Sequence, residues 1–368
     1  MIYLILFLWM CFLAHLLDIN GCKTKFVCEG QNTPFFGFNS FKFKRKLFLF
    51  CFFFIATLIM GFRGQYVGED TAEYKNIFSY VDNKSWARIF SEYGIFTQFE
   101  IGYAVFMKIC SYVCNNYFYF QFVNSALFCL GMATFIYSDT DDLLMRVVIF
   151  IACGIYLRAF DIARQAMAVM LLLNAWKCLK NKKRVCSIAL YLLAVTIHST
   201  SFVFIVVFII EWLKKYDKFL LAFAFIFFIF VICCEPLVSF ALSFFPKYSD
   251  YLFTGKIISP GMVMLVWLII TVLSLSVLYH KTQFTKDQKA IAIYCLIYVG
   301  ANIIGIRITY FERFSYYFMP FIIMLYPMCK RNAKELCIEN LYTFSVQACY
   351  FFVYLLDVIK LGQYVTFI

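Results

Sequence analysis

Charge is scarce in this chain. Asp, Glu, Lys and Arg make up 15% of its 368 residues, against 64% hydrophobic and 21% aromatic residues, whereas soluble domains approach a quarter charged. That deficit excludes an ordinary soluble domain and points to a polytopic membrane protein. No segment reads as a separate globular domain, and there is no soluble domain carrying a D-x-D loop, so nothing resembles a nucleotide-sugar site. The sixteen cysteines contain no C-x-x-C pair, and most lie in apolar runs, where cysteine behaves as a small hydrophobe. Neither structural zinc nor a disulfide framework is expected. Met1 to Leu17 lacks a basic start and a small-residue cleavage site, so it reads as an uncleaved first span.

The length accommodates roughly ten to twelve spans of about 20 residues. The expected fold is therefore all-α, a polytopic transmembrane helix bundle forming a single integral membrane domain over 1–368. Clean apolar runs occur near Ile2 to Leu17, Leu47 to Phe62, Tyr117 to Tyr137, Leu143 to Leu157, Phe219 to Phe240, Met262 to Tyr279, Ala290 to Ile306, Phe314 to Met328 and Leu341 to Ile359. Ile101 to Cys114, Ile162 to Cys178 and Val185 to Ile210 are less clean.

The net charge of +12 does not indicate nucleic acid, because the cations are scattered in short loops, where they fix membrane orientation. Lys23, Lys25, Lys42, Lys44, Arg45 and Lys46 against one Glu29 place the first loop in the cytoplasm. The stretch 63–99 is then an extracytoplasmic loop, and its acidic balance agrees. Lys180, Lys182, Lys183 and Arg184 ask for a cytoplasmic loop, and so do Lys214, Lys215 and Lys218. Val185 to Ile210 must leave and return to one side, which predicts re-entrant half-helices breaking near His198. Parity between Phe99 and Lys180 also fails unless one apolar run there does not cross.

Four polar groups interrupt this background. The first runs from Arg63 through Gly64, Gly68, Asp70 and Thr71 to Tyr74, with Asp70 expected to cap a short helix. The second is Phe99-Glu100-Ile101-Gly102-Tyr103, where a helix N-terminus would favour the carboxylate. The third is Arg158, Asp161, Arg164 and Gln165, whose spacing puts Arg158, Asp161 and Gln165 on one helical face. The fourth joins His198 with Arg307, Glu312 and Arg313.

Clustered arginines hold a diphosphate by bidentate contacts, and aromatic rings stack sugars. These are the requirements of a lipid-diphosphate sugar donor. Glycosyl transfer would use arginines to stabilise the departing lipid diphosphate, and a carboxylate or histidine to take the acceptor's proton. Catalytic candidates are Asp70, Glu100 and His198. Candidates for diphosphate or sugar binding are Arg63, Tyr74, Arg158, Arg164, Gln165, Arg307 and Arg313. No metal or cofactor is expected.

The order of the motifs resembles the EpsG family of exopolysaccharide and O-antigen polymerases, also called Wzy-type polymerases. The matching residues are Arg63-Gly64-Gln65-Tyr66-Val67-Gly68-Glu69-Asp70-Thr71 with Tyr74, Glu100 with Gly102-Tyr103, Arg164-Gln165-Ala166-Met167-Ala168, and His198-Ser199-Thr200. Where the family commonly has E-P-G, this chain has Glu100-Ile101-Gly102. The resemblance implies polymerisation of an undecaprenyl-diphosphate-linked oligosaccharide at the outer leaflet of a bacterial inner membrane, with membrane lipid around it and a chain-length regulator and flippase as pathway partners. An O-antigen ligase would use the same donor but carries a larger late outer loop than Phe244 to Pro260. A flippase or transporter would show internal repeats, and none is evident.

Overall fold

A computed structural model describes residues 2–17, 37–137, 142–216, 261–279 and 284–335, apart from positions 65, 69, 96–98, 307, 309 and 310 and with a few isolated positions elsewhere. The expected runs Phe219 to Phe240 and Leu341 to Ile359 lie largely outside these residues. The described residues are helical, with no β-strand among them. They fall into two compact units, one ending at Ser199 and the other beginning at Thr200.

The first unit contains α1 (Ile2–Leu16), α2 (Gly37–Gly61), α3 (Thr71–Asp82), α4 (Trp86–Glu92), α5 (Ile101–Val113), α6 (Tyr117–Ile136), α7 (Leu143–Ala152), α8 (Ile155–Asp161), α9 (Ala163–Lys180) and α10 (Arg184–Ile197). Side-chain caps set several starts, as the local sequence invites: Ser85 accepts from the Arg88 N–H, Asn116 from Phe118 and Asp142 from Met145. Asp70 stands at the N-cap position of α3, but its side chain makes no cap bond.

Helix α2 packs along α6, α6 along α9, and α9 along α10. Polar ties pin the α6–α9 seam, where Thr134 Oγ1 donates to Asn174 Oδ1 at 2.7 Å and Asn174 Nδ2 donates to the Gly131 carbonyl at 3.2 Å. Phe150 lies against Phe53 of α2 and Phe128 of α6, Phe135 of α6 lies against Trp176 of α9, and Tyr156 Oη donates to the Ala56 carbonyl of α2.

Helices α5 and α6 form an antiparallel hairpin. Three residues join them, Tyr103 Oη donates to Asn124 Oδ1 at 3.3 Å, and Phe106 lies against Phe120. At 13 residues, α5 is about 20 Å long, short of the ~30 Å hydrocarbon core. Helix α3 runs beside it in the same direction: Tyr74 packs on Tyr103, and Lys108 Nζ donates to the Asp82 carbonyl at 2.6 Å.

A 3-10 turn (Ser199–Phe204) begins at the last residue of the first unit, and the second unit contains α11 (Ile205–Leu213), α12 (Gly261–Tyr279), α13 (Lys286–Gly305), α14 (Glu312–Ser315) and α15 (Ile322–Glu335). A capping box starts α13: Thr285 accepts from the Gln288 N–H at 3.3 Å, and Gln288 accepts from the Thr285 N–H at 2.8 Å. Lys214 bridges Glu211 and Asp287, and Tyr294 Oη donates to Glu211 at 2.9 Å.

By length and composition, three stretches among the described residues could cross a membrane: Tyr117–Ile136, Leu143–Asp161 and Lys286–Gly305. The helical run after Arg184 is interrupted, as the sequence predicts. His198 is extended at φ −150°, ψ 111°, and a 3-10 turn follows before α11.

Candidate functional site

Glu100 gathers the functional side chains of the first unit. It precedes α5 in extended conformation and makes no cap bond to that helix. The sequence offered helix capping as a sufficient reason for an acid here, but both carboxylate oxygens turn to other segments. Oε2 accepts from Arg164 Nη1 at 2.6 Å. Oε1 accepts from the Ser199 N–H at 3.0 Å and the Ser199 hydroxyl at 3.1 Å, and faces His198 Nδ1 at 3.0 Å.

The partners come from the first turn of α9 and from the residue ending α10, so the cluster depends on three helix termini meeting. Below the guanidinium of Arg164 lie the rings of Phe99, 4.4 Å from centroid to Cζ, and Tyr74, at 5.8 Å. The Glu100 side chain is 4% exposed, while Arg164 and His198 retain 19% and 15%. The acid is therefore sealed, while its two basic partners keep part of their surface exposed.

Gly102 makes this meeting possible. A Cβ there would stand 2.7 Å from both the carbonyl carbon and oxygen of Thr196, so only glycine lets α5 approach α10 closely enough for Glu100 to reach His198. Burial raises the carboxyl pKa of Glu100. The His198 hydrogen bond, the charges of His198 and Arg164 and the Ser199 N–H outweigh it and bring the group down from 4.5 to about 2. Glu100 is thus a carboxylate at any physiological pH, a weak base, and well suited to orient an imidazole.

Arg63 builds a different knot. It is 1% exposed, and its donors go inward: Nη1 to the Met60 carbonyl at 2.7 Å, Nη2 to the Phe160 carbonyl at 3.3 Å and Nε to Thr71 Oγ1 at 3.4 Å. Its guanidinium also lies over the Phe160 ring at 5.1 Å. Gln121 donates to the carbonyls of Gly61 at 2.8 Å and Arg63 at 2.9 Å. A helix end leaves four carbonyls without intrahelical donors, and here two side chains serve the end of α2 and its continuation. Gly68, at φ +96°, lies against the Phe160 carbonyl, 2.6 Å from where a Cβ would sit. The knot ties the loop after α2 to α8.

A model of the EpsG family matches residues 46–367, nearly the whole chain. The chain belongs to the EpsG family. No curated protein and no solved structure matches it.

In this EpsG-family chain, the candidates named from sequence separate. Glu100, Arg164, His198 and Tyr74 come together. Asp70 is half-buried, and its charge bears on the Tyr74 hydroxyl. Arg158, Asp161 and Gln165 do not share one helical face. The helix breaks at Ile162, φ −103° and ψ 49°, leaving Arg158 and Asp161 on α8 and Gln165 on α9. Arg158 is exposed and Gln165 buried. Arg313 is exposed on α14 of the second unit, and Arg307 lies outside the described residues.

Two contributors were not assigned a site role from the sequence. Phe99, the ring nearest Arg164, stood in the second polar group only as the neighbour of Glu100. Ser199 supplies two donors to the carboxylate, and its place directly after the histidine in the His198-Ser199-Thr200 motif was the available signal.

Proposed function

We propose that this EpsG-family chain is a multi-pass enzyme of the bacterial inner membrane, a Wzy-type polymerase. It joins undecaprenyl-diphosphate-linked oligosaccharide repeat units at the outer leaflet. The carrying observation is the engagement of Glu100 by Arg164 and His198 from two other family motifs, with the acid sealed and the two bases accessible.

In this reading Glu100 accepts from His198 Nδ1–H and fixes the tautomer that leaves Nε2 as a base. Nε2 takes the proton of the acceptor hydroxyl as that oxygen attacks the anomeric carbon of the donor sugar. The bond from anomeric carbon to phosphate oxygen breaks, and undecaprenyl diphosphate leaves with the electron pair. Arg164 stabilises the leaving diphosphate; a guanidinium carries five donors and can hold a carboxylate on one edge and a phosphate on another. Tyr74 and Phe99 form the floor beneath it. Arg63 is assigned a positioning role through the loop it holds, and Asp70 acts on Tyr74 from the start of α3.

The hairpin of α5 and α6 supports a topology in which α5 enters and leaves on one side. That arrangement would keep Arg63 to Asn116 on the outer face and remove the parity conflict between Phe99 and Lys180. Further spans, up to the ten to twelve expected from the whole chain, complete the membrane domain. Undecaprenyl lipid is the partner at the site, and a chain-length regulator and a flippase act in the same pathway.

The test is a gel of surface polysaccharide from a strain lacking the chain, complemented by wild type or Arg164→Ala, with lipid-linked intermediates analysed alongside. A polymerase defect leaves single repeat units at the outer leaflet and no ladder above them. Units held on the cytoplasmic leaflet would make the chain a flippase, and unchanged polysaccharide would overturn both readings.

A further inference from the structure

At the end of the α9–α10 hairpin remote from Arg164 and His198, two thiols meet. Cys178 Sγ and Cys186 Sγ lie 3.4 Å apart across the turn. The backbone enforces the approach. The Lys183 N–H donates to the Cys178 carbonyl at 2.9 Å and the Lys182 N–H to Leu179 at 3.0 Å, while Lys182 adopts a left-handed φ of 61°. One residue beyond Cys186, the buried Ser187 hydroxyl donates to the Ala175 carbonyl at 2.8 Å and locks the register of the two helices. Cys186 is exposed and Cys178 partly exposed, so a soluble thiol reagent can reach the pair.

We propose that Cys178 and Cys186 form a reversible dithiol–disulfide site, oxidised by a small disulfide of the glutathione class. A disulfide bond is about 2 Å long, so closure from the 3.4 Å separation needs an approach of a little over 1 Å. One protein thiolate attacks glutathione disulfide and releases one glutathione. The second protein thiolate attacks the resulting mixed disulfide and releases another. The two protein thiols together lose two electrons, the oxidant gains them, and the two thiol protons pass to the departing glutathione thiolates. Lys180, Lys182, Lys183 and Arg184 argue that this turn faces the cytoplasm. There, disulfides are transient and redox-sensing and do not form permanent frameworks. The bridge clips together the two helices whose other ends carry Arg164 and His198, and it is independent of what those residues catalyse.

The experiment treats the full chain, purified in detergent, with glutathione disulfide, then alkylates the remaining thiols, digests, and reads the peptides by mass spectrometry. The expected result is a cross-linked Cys178–Cys186 peptide, two fewer alkylated sites, and restoration of both by dithiothreitol. In Cys178→Ser, Cys186 should be trapped as a mixed disulfide with glutathione, and Cys186→Ser gives the reciprocal trap if the first variant accumulates poorly. Wild-type protein in which both thiols remain alkylatable, or in which each carries its own glutathione without a cross-link, would overturn the proposal.

Discussion

Arg63 and Arg164 are both motif arginines of the first unit, yet they sit in opposite surroundings. Arg63 is sealed, and its donors meet two main-chain carbonyls and a threonine hydroxyl. Arg164 meets a carboxylate, lies on two aromatic rings and keeps part of its surface accessible. A guanidinium committed to carbonyls holds backbone in place; the one paired with a carboxylate beside a histidine keeps part of its surface exposed. Residue type and motif membership do not separate these roles, whereas the partner atoms do.

Substitutions in the Glu100 cluster should give the largest effect. Glu100→Gln keeps the shape but removes the charge that orients His198 and pairs with Arg164. Loss of a positioned acid–base group costs about 10²- to 10⁴-fold in rate. Glu100→Gln and His198→Gln are therefore each expected to abolish the polysaccharide ladder while the protein persists in the membrane by immunoblot. A full ladder from either variant would remove the cluster from the chemistry.

Arg63→Met sharpens the contrast from the other side. It would leave the Met60 and Phe160 carbonyls and the Thr71 hydroxyl without their donor, at about 1–3 kcal/mol for each buried group left unsatisfied. The expected outcome is a lowered melting temperature in detergent and less protein in cells, with ladder intensity falling in proportion to the protein that remains. Normal protein level with no ladder would move Arg63 into the site.

Gly102→Ala lies between these cases, since it leaves every partner in place and changes only the spacing. The added methyl would meet the main chain of Thr196 at 2.7 Å, so α5 and α10 must part. A misplacement of about 1 Å can cost 10²-fold in rate. A roughly 10- to 100-fold loss of polymer, with most of the protein retained, is expected. Trimming the neighbour with Thr196→Ala, which removes the hydroxyl 2.5 Å from the added methyl, should not restore activity, because the carbonyl of Thr196 remains in the way; restoration would show that the Thr196 side chain alone was the obstruction.

This ordering also explains what the sequence disclosed. Glu100, Arg164 and His198 were legible because each is an ionisable residue in an apolar chain, where unpartnered charge is costly. The partners of Arg63 were not legible, since they include the carbonyls of Met60 and Phe160, and a carbonyl has no letter in the sequence. The face drawn through Arg158, Asp161 and Gln165 failed at Ile162, where the helix breaks without the proline or glycine that usually announces it. The all-helical fold followed from apolar runs, but apolar character alone did not distinguish α5, at 13 residues, from a full span.

The smallest expected effect concerns pH and isolates the charge of Glu100 from its shape. Its carboxyl is held at about 2 against an ordinary 4.5, so the folded protein binds this proton less readily than the unfolded chain does. The stabilisation is fully present above pH 4.5 and is lost as pH falls through that value toward 2. The melting-temperature difference between wild type and Glu100→Gln should shrink as pH falls below about 5. Other carboxylates titrate equally in both proteins, so their contribution cancels in the difference. A gap unchanged across the acid range would mean that hydrogen-bond geometry, and not charge, ties Glu100 to Arg164 and His198; the contrast with the Arg63 knot would then rest on exposure alone.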